Sequence, residues 1–180
     1  DVTDPENHYE LDRLDELYLH WHHKGFEITG GRFVLNTPFV NQQDTRMKPY
    51  ASQGIDLGWK IPKINSWLRA GFLTHVSPRS TVNWYTVGES VGIYNTGVNP
   101  DGSPSNYAGN ISSGGLGYLN VGHQWKGFRF DLWNYWFDRV SWSSYLQVTK
   151  AWRLGEKDWK LHAGVEGMAQ FQLADGGNAD

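Results

Sequence analysis

The chain contains no cysteine, so neither a disulfide scaffold nor a thiolate metal site is open to it. No stretch approaches the roughly 18 consecutive apolar residues of a membrane helix. Charge is sparse as well: charged residues make up 19% of the chain and the net charge is -3. That excludes a nucleic-acid partner, which requires a strongly basic face. A cleavable signal sequence is also missing, so an exported protein would carry this sequence as a mature or truncated chain. What the chain has in quantity is rings. Ten Trp, nine Tyr and eight Phe stand in 180 residues, far more than a disordered chain carries, in a length that suits one domain.

The stretch that organises the rest is LGYLNVGHQWKGFRFDLWNYWF, residues 116–137. Lys126-Gly127 lies between two runs that alternate residue by residue, the period-2 signal of a β-hairpin with a two-residue turn. This geometry predicts Trp125 opposite Phe128, His123 opposite Phe130, Val121 opposite Leu132 and Leu119 opposite Asn134, all on one apolar face. The other face carries Tyr118, Asn120, Gln124, Arg129, Asp131, Trp133 and Tyr135. Each arm is about ten residues, the length at which a tilted strand crosses a bilayer. The pattern therefore predicts a transmembrane hairpin with lipid outside and water inside.

Residues 1–10 are polar and acidic, without a period. Leu17, Leu19 and Trp21 then share a face, Lys24-Gly25 makes a second short turn, and Phe26 and Ile28 return on the apolar side. Strict alternation would put Arg32 toward lipid at a cost of a few kcal/mol near the membrane midplane. A bulge at Gly30-Gly31 is the expected remedy, turning Arg32 inward and Phe33 outward. Residues 35–50 read as a loop. Ile55, Leu57 and Trp59 alternate against Gly54, Asp56 and Gly58, and Leu68, Ala70, Phe72 and Val76 against Arg69, Gly71 and His75. Residues 77–115 form a second long irregular stretch of the kind that is usually functional. Leu146, Val148 and Trp152 share a face with Lys150, whose head can snorkel to water. The last strand sets Trp159, Leu161, Ala163, Val165 and Phe171 against Lys160, His162, Glu166 and Gln170.

Residues 1–180 thus read as one all-β segment, an antiparallel transmembrane β-barrel of about eight strands. Short turns at 24–25, 60–65, 126–127 and 153–158 lie on one end, and the long segments 35–50 and 77–115 on the other. That asymmetry matches periplasmic turns and extracellular loops of an outer-membrane barrel. Large rings flank every short turn: Trp21 and Phe26, Trp59 and Trp67, Trp125 and Phe128, Trp152 and Trp159. Such a girdle forms because an amphipathic ring is most stable at headgroup depth; Trp67 departs from it, having inward parity. The competing class is a soluble or surface all-β module whose Tyr and Trp stack on a carbohydrate or other ring. Its surface would carry more mixed charge than the Gly, Gln, Asn and Tyr of the polar face here.

LDELYLHW followed by GRFVLNTPFVNQQDTRM resembles the OprD-type family of substrate-specific outer-membrane porins, through Leu14 to Tyr18, Gly31-Arg32, Asn36 to Pro38 and Asp44 to Met47. The resemblance implies a monomeric-pore barrel of about eighteen strands. It also implies passage of small carboxylates, amino acids or related nutrients past a row of basic side chains. Eight strands are fewer than half of such a barrel, and the final LADGGNAD is not a terminal aromatic strand, so the expectation is a portion of a longer protein. A complete eight-stranded barrel would be filled by side chains and could not conduct.

If the inward faces line a channel, Arg69, Arg129, Lys160 and His162 supply positive charge, joined by Arg32 and Arg46 from the loop end. Basic groups along a narrow channel attract an anion and pass it between weak sites. Asp56, Asp131 and Glu166 interrupt that field and could position a cationic group. Gly88-Glu89-Ser90-Val91-Gly92 matches the G-x-S-x-G elbow, but Ile93 to Gly97 is no helix start, which argues against a hydrolase. His20, His22 and His23 lack a carboxylate to orient them and fit a strand end better than a metal site. The expectation is therefore a passive channel, not an enzyme, with no cofactor and no metal, its partners being the bilayer and small solutes.

Overall fold

The computed structural model describes residues 14–42, 49–78, 82–91, 97–98, 104–105, 111–154, 159–174 and 176. In chain order the elements are β1 (Leu17–His23), β2 (Phe26–Phe33), β3 (Ala51–Ile61), β4 (Ser66–Ser77), β5 (Tyr85–Thr86), α1 (Val87–Val91), β6 (Gly97–Val98), β7 (Pro104–Ser105), β8 (Leu116–Trp125), β9 (Phe128–Phe137), β10 (Ser141–Leu154) and β11 (Trp159–Gln172). The eight long strands form one antiparallel sheet in the order β1-β2-β3-β4-β8-β9-β10-β11, with β5 added to β4. β6 and β7 pair separately. The sheet does not close, and among the described residues β1 and β11 each have one neighbour.

Local chemistry explains the connections. Lys24 and Gly25 have φ of 46° and 84°, and Lys126 and Gly127 have 48° and 79°. Two successive positive φ angles define the type I′ turn, whose twist matches that of the strands it joins. The turn at Lys126-Gly127 fixes the register read from the alternation: Trp125 with Phe128, His123 with Phe130, Val121 with Leu132 and Leu119 with Asn134. Between β3 and β4, Pro62–Ile64 form a single 3₁₀ turn ended by Asn65 in the left-handed region.

The two faces differ as the alternation requires. Leu19, Trp21, Ile55, Trp59, Phe72, Val121, Trp125, Leu132, Leu146, Val165 and Phe171 are exposed and share the convex side by register. A continuous exposed apolar surface of this extent marks contact with lipid or another protein. The belt of rings at the turn end is staggered. Trp59 lies opposite Leu68 and Leu68 opposite Val121, so the belt has moved from the level of Val121 to that of Trp125 by the time it reaches β8. Such a shift along neighbouring strands is the stagger of a tilted barrel wall. At the loop end Phe72, Gly117, Trp136, Trp142 and Phe171 form one row across five strands.

The bulge lies elsewhere than expected. β2 pairs with β3 without interruption from Phe26 to Phe33, whereas β3 and β4 slip between Gln53 and Gly54. Gly54 pairs with Leu73 and Gln53 with His75, so Thr74 is the extra residue. With β2 uninterrupted, Phe33 is buried rather than turned outward, and the slip in β4 takes Val76 off the apolar convex face to join it. Phe33, Leu35, Leu73, Val76, Val87, Tyr118, Trp133 and Tyr135 form the buried cluster. The physical reason is the segment after β2: Leu35 needs apolar partners, and the bulge in β4 adds Val76 to Leu73 on its side of the sheet.

Two glycines make the concave face flat enough for rings. A Cβ at Gly122 would lie 1.8 Å from the ring of Trp67, its cross-strand partner. One at Gly71 would lie 2.3 Å from the ring of Tyr118, also its partner. Glycine in a strand marks such close approach.

Candidate functional site: a polar cleft on the concave face

Inward parity on β3, β4, β8 and β9 gathers polar side chains around a cleft of about 730 Å³. Arg69 grips Asp56 with two parallel bonds, Nε to Oδ1 at 2.8 Å and Nη2 to Oδ2 at 3.1 Å. This fork is the strong form of the Arg-carboxylate contact. Tyr118 Oη donates to Asp56 Oδ1 at 2.5 Å, reaching it across the space that Gly71 leaves open. Asp56 is thereby held from two sides and buried.

A second pair stands beside it. Arg129 Nε lies 2.6 Å from Asp131 Oδ2, and Nη2 lies 3.3 Å from Oδ1. Trp67 Nε1 donates to Asp131 Oδ1 at 3.0 Å, and the Arg129 guanidinium stacks over the Trp67 ring at 4.2 Å. In both pairs the carboxylate is behind and the cation in front. The side chains of Arg69 and Asp56 are 33% and 12% exposed, those of Arg129 and Asp131 57% and 8%. The cleft is consequently faced with guanidinium groups whose counter-charges are sunk in the wall, and Glu27 and Lys60 line it as well. An anion passing such a surface meets attraction weakened, but not cancelled, by the carboxylate behind it.

The loop after β2 folds over this face. Asn36 O accepts from Arg69 Nη1 at 3.5 Å, Thr37 and Val40 bond each other through Oγ1 and backbone, and Phe39 packs on Tyr135 and Tyr145 with ring centroids 5.0 and 5.5 Å apart. The loop therefore spans the concave side from β4 to β10. Behind Phe39 lies a smaller hollow of about 310 Å³, lined by Val40, Leu116, Tyr135, Phe137 and Met168 with Gln170 at its rim. Sequence periodicity named neither Thr37 nor Phe39 as inward residues. Their only signal was an apolar Phe39-Val40 pair inside an otherwise polar loop.

The other candidates distribute as follows. Glu166 accepts from Tyr145 Oη and from Gln147 Nε2, the latter at 3.3 Å. Lys160 faces Arg153 across β10 and β11, and His162 faces Ala151, both exposed. Asp56, Asp131, Arg69 and Arg129 meet in the cleft; Lys160, His162 and Glu166 stand apart from it on β11. Arg32 keeps the convex parity, opposite Leu17 and Gln53. Arg46, with the rest of the Asp44 to Met47 motif and the 155–158 turn, lies outside the described residues. Ser90 sits within α1, where its Oγ donates to Val87 O at 2.7 Å. His20 bonds Thr29 Oγ1 at 2.8 Å, and the described residues contain no group of three metal-binding side chains.

An apolar convex face, a staggered belt of rings and a polar concave face under an infolded loop define the wall of a porin-type transmembrane β-barrel. Its particular fold is that of the OprD/Occ outer-membrane porins. OccD3 (OpdP) of Pseudomonas aeruginosa superposes with a TM-score of 0.71 at 22% identity, over 91% of this chain and 36% of that one. OccK2 (OpdF) of P. aeruginosa, in complex with glucuronate, gives 0.69 at 20% identity, over 89% and 40%. OpdK of P. aeruginosa with vanillate gives 0.69 at 17% identity, over 89% and 38%. The chain thus spans well under half the length of these structures. No protein-family model matches the sequence, and no curated protein matches it.

Proposed function

We propose that this chain forms one sector of the wall of a passive, substrate-selective diffusion channel in a bacterial outer membrane, performing no covalent chemistry. The short turns face the periplasm and the loops 35–50 and 77–115 face outward. Both sheet edges carry backbone groups that lipid cannot satisfy, so in the membrane further strands complete the barrel. The observation that carries the reading is the pair of forward-facing guanidinium groups, Arg69 and Arg129, each backed by a buried carboxylate, in a cleft that Glu27 and Lys60 also line. Lys160 and His162 extend the positive side of the lumen toward the turns, with Glu166 as a counterweight.

Small carboxylates, amino acids and similar nutrients are the solutes this lining suits. Glucuronate and vanillate, seen with two of the structural neighbours, both carry a carboxylate. The test is solute flux and single-channel conductance of the full-length protein in a planar bilayer. Discrete openings whose anion preference falls in Arg129→Ala and Lys160→Ala are expected. A protein that inserts without conducting, or one that stays monodisperse without detergent, overturns the proposal.

A further inference from the structure

Arg32 is a cation on the wrong side of a channel wall. Its cross-strand partners are Leu17 and Gln53, and with Ile55 and Thr74 they border an open groove of about 540 Å³ on the convex face, toward the loop end. We propose that this groove binds a phosphate-bearing glycolipid of the outer leaflet, its phosphate on Arg32 and its acyl chains along Leu17 and Ile55. The inference rests on the outer-membrane reading above.

Three observations converge. First, the guanidinium is positioned rather than loose. Nε donates to Gln53 Oε1 at 3.1 Å and the group lies over the Trp84 ring at 4.5 Å. Gln53 occupies only Nε; among the described residues the two Nη groups have no acceptor, which leaves the fork that matches a phosphate. Second, no carboxylate among the described residues pairs with it. Asp15, Glu16 and Glu89 are the acids nearby in the fold; Glu16 and Glu89 bond the Val34 N–H and Thr86, and Asp15 is engaged as well. A guanidinium facing lipid is tolerated near the headgroups and not at mid-depth; the anion that a bilayer offers there is phosphate. Third, Arg32 stands at the loop end of the apolar face. The row of Phe72, Gly117, Trp136, Trp142 and Phe171 continues by register through Ile55 to Gly30, and Arg32 lies two residues beyond it. The apolar run on β2 ends there after about 20 Å of strand from Phe26, against about 34 Å from Trp152 to Trp142 on β10.

The test uses the full-length protein purified in detergent and titrated with lipid A, a bis-phosphorylated acylated disaccharide, with native mass spectrometry as readout. One retained glycolipid is expected, bound about tenfold more weakly by Arg32→Gln, the loss of a charge-assisted contact. Arg32→Lys should keep part of the affinity and Trp84→Leu should lose less than Arg32→Gln. Dephosphorylated lipid A should not distinguish wild type from Arg32→Gln. Equal retention by both proteins overturns the inference. So does inorganic phosphate competing at the affinity of lipid A, which would mean a free-anion site, or a stable dimer that excludes the glycolipid. Conductance of the same preparations separates the two readings: a protein that conducts without discriminating lipids sinks this inference alone, and one that never inserts sinks both.

Discussion

β2 to β4 and β9 to β11 are both pieces of one sheet, yet they are held in opposite ways. The first panel is secured from inside. Phe33, Leu35, Leu73 and Val76 are buried beneath the first loop, and Asp56 ties Arg69 to Tyr118. Its convex side turns polar early, at Arg32 and Gln53. The second panel shares that interior through Trp133 and Tyr135 on β9, but its outer side carries a tall apolar band running from Trp152 through Leu146 to Trp142. Burial by lipid, not by protein, must supply the stabilisation of that band. The sheet is therefore not uniform across its strands, and the two panels should respond to different insults.

The largest contrast comes from closing the space inside the first panel. Gly71→Val puts branched carbon against the Tyr118 ring and the Ile55 carbonyl, at a cost of about 3 kcal/mol or more. Urea unfolding in micelles measures it, and a loss below 1 kcal/mol would break the claim that this panel is held from within. Next, Leu146→Arg, near the middle of the tall band, should cost about 2–4 kcal/mol in lipid, while Gln53→Arg at the polar end of the short band should cost about 0–1 kcal/mol. Equal costs would erase the distinction between the panels. Asp56→Ala leaves the partly exposed Arg69 without its carboxylate and Tyr118 without its acceptor. About 2 kcal/mol is expected, below the cost of breaking a fully buried pair, and Asp56→Asn should recover part of it.

The smallest effect lies in the loop above the first panel. Glu89 accepts from the Thr86 backbone N–H and hydroxyl at 2.9 and 2.8 Å, and these bonds hold its carboxyl below the usual carboxylate range, the backbone bond contributing most. Because the folded value is the lower one, this stabilisation is present above the ordinary carboxylate pKa and is lost as pH falls through the depressed value. Hydrogen exchange at Thr86 should accelerate in that acidic window relative to neighbouring amides once the intrinsic pH dependence is removed. Glu89→Gln should flatten the response.

Most of the wall was legible because lipid and water enforce a strict period of two. The Lys126-Gly127 register, the polar parity of Asp56, Arg69, Arg129 and Asp131, and the rings at the turns all follow from it. Where the chain leaves that regime, the period stops carrying information. The Gly30-Gly31 pair looked like the bulge, yet a bulge is set by what must be buried nearby, and here it brings Val76 to Leu35 beside Leu73. Gly54 on the partner strand was the local mark of it. Arg32 was expected inside because a lipid-facing cation is costly. That reasoning weighed the midplane penalty without knowing how early the apolar band ends. Phe39 belongs to a loop, and its place against Tyr145 depends on a curvature that no stretch of sequence encodes alone.

The loop that runs from Arg69 on β4 to Tyr145 on β10 acts as a bowstring. Its two attachments, one polar at Asn36 and one aromatic at Phe39, fix the chord of an arc whose length is set by the strands between. The arc of this sector is thus tied by residues that belong to no strand, Asn36 to Phe39 among them. In the proposed channel, slackening the string with Phe39→Ala should widen the passage and raise unit conductance, although no strand and no lining charge has changed.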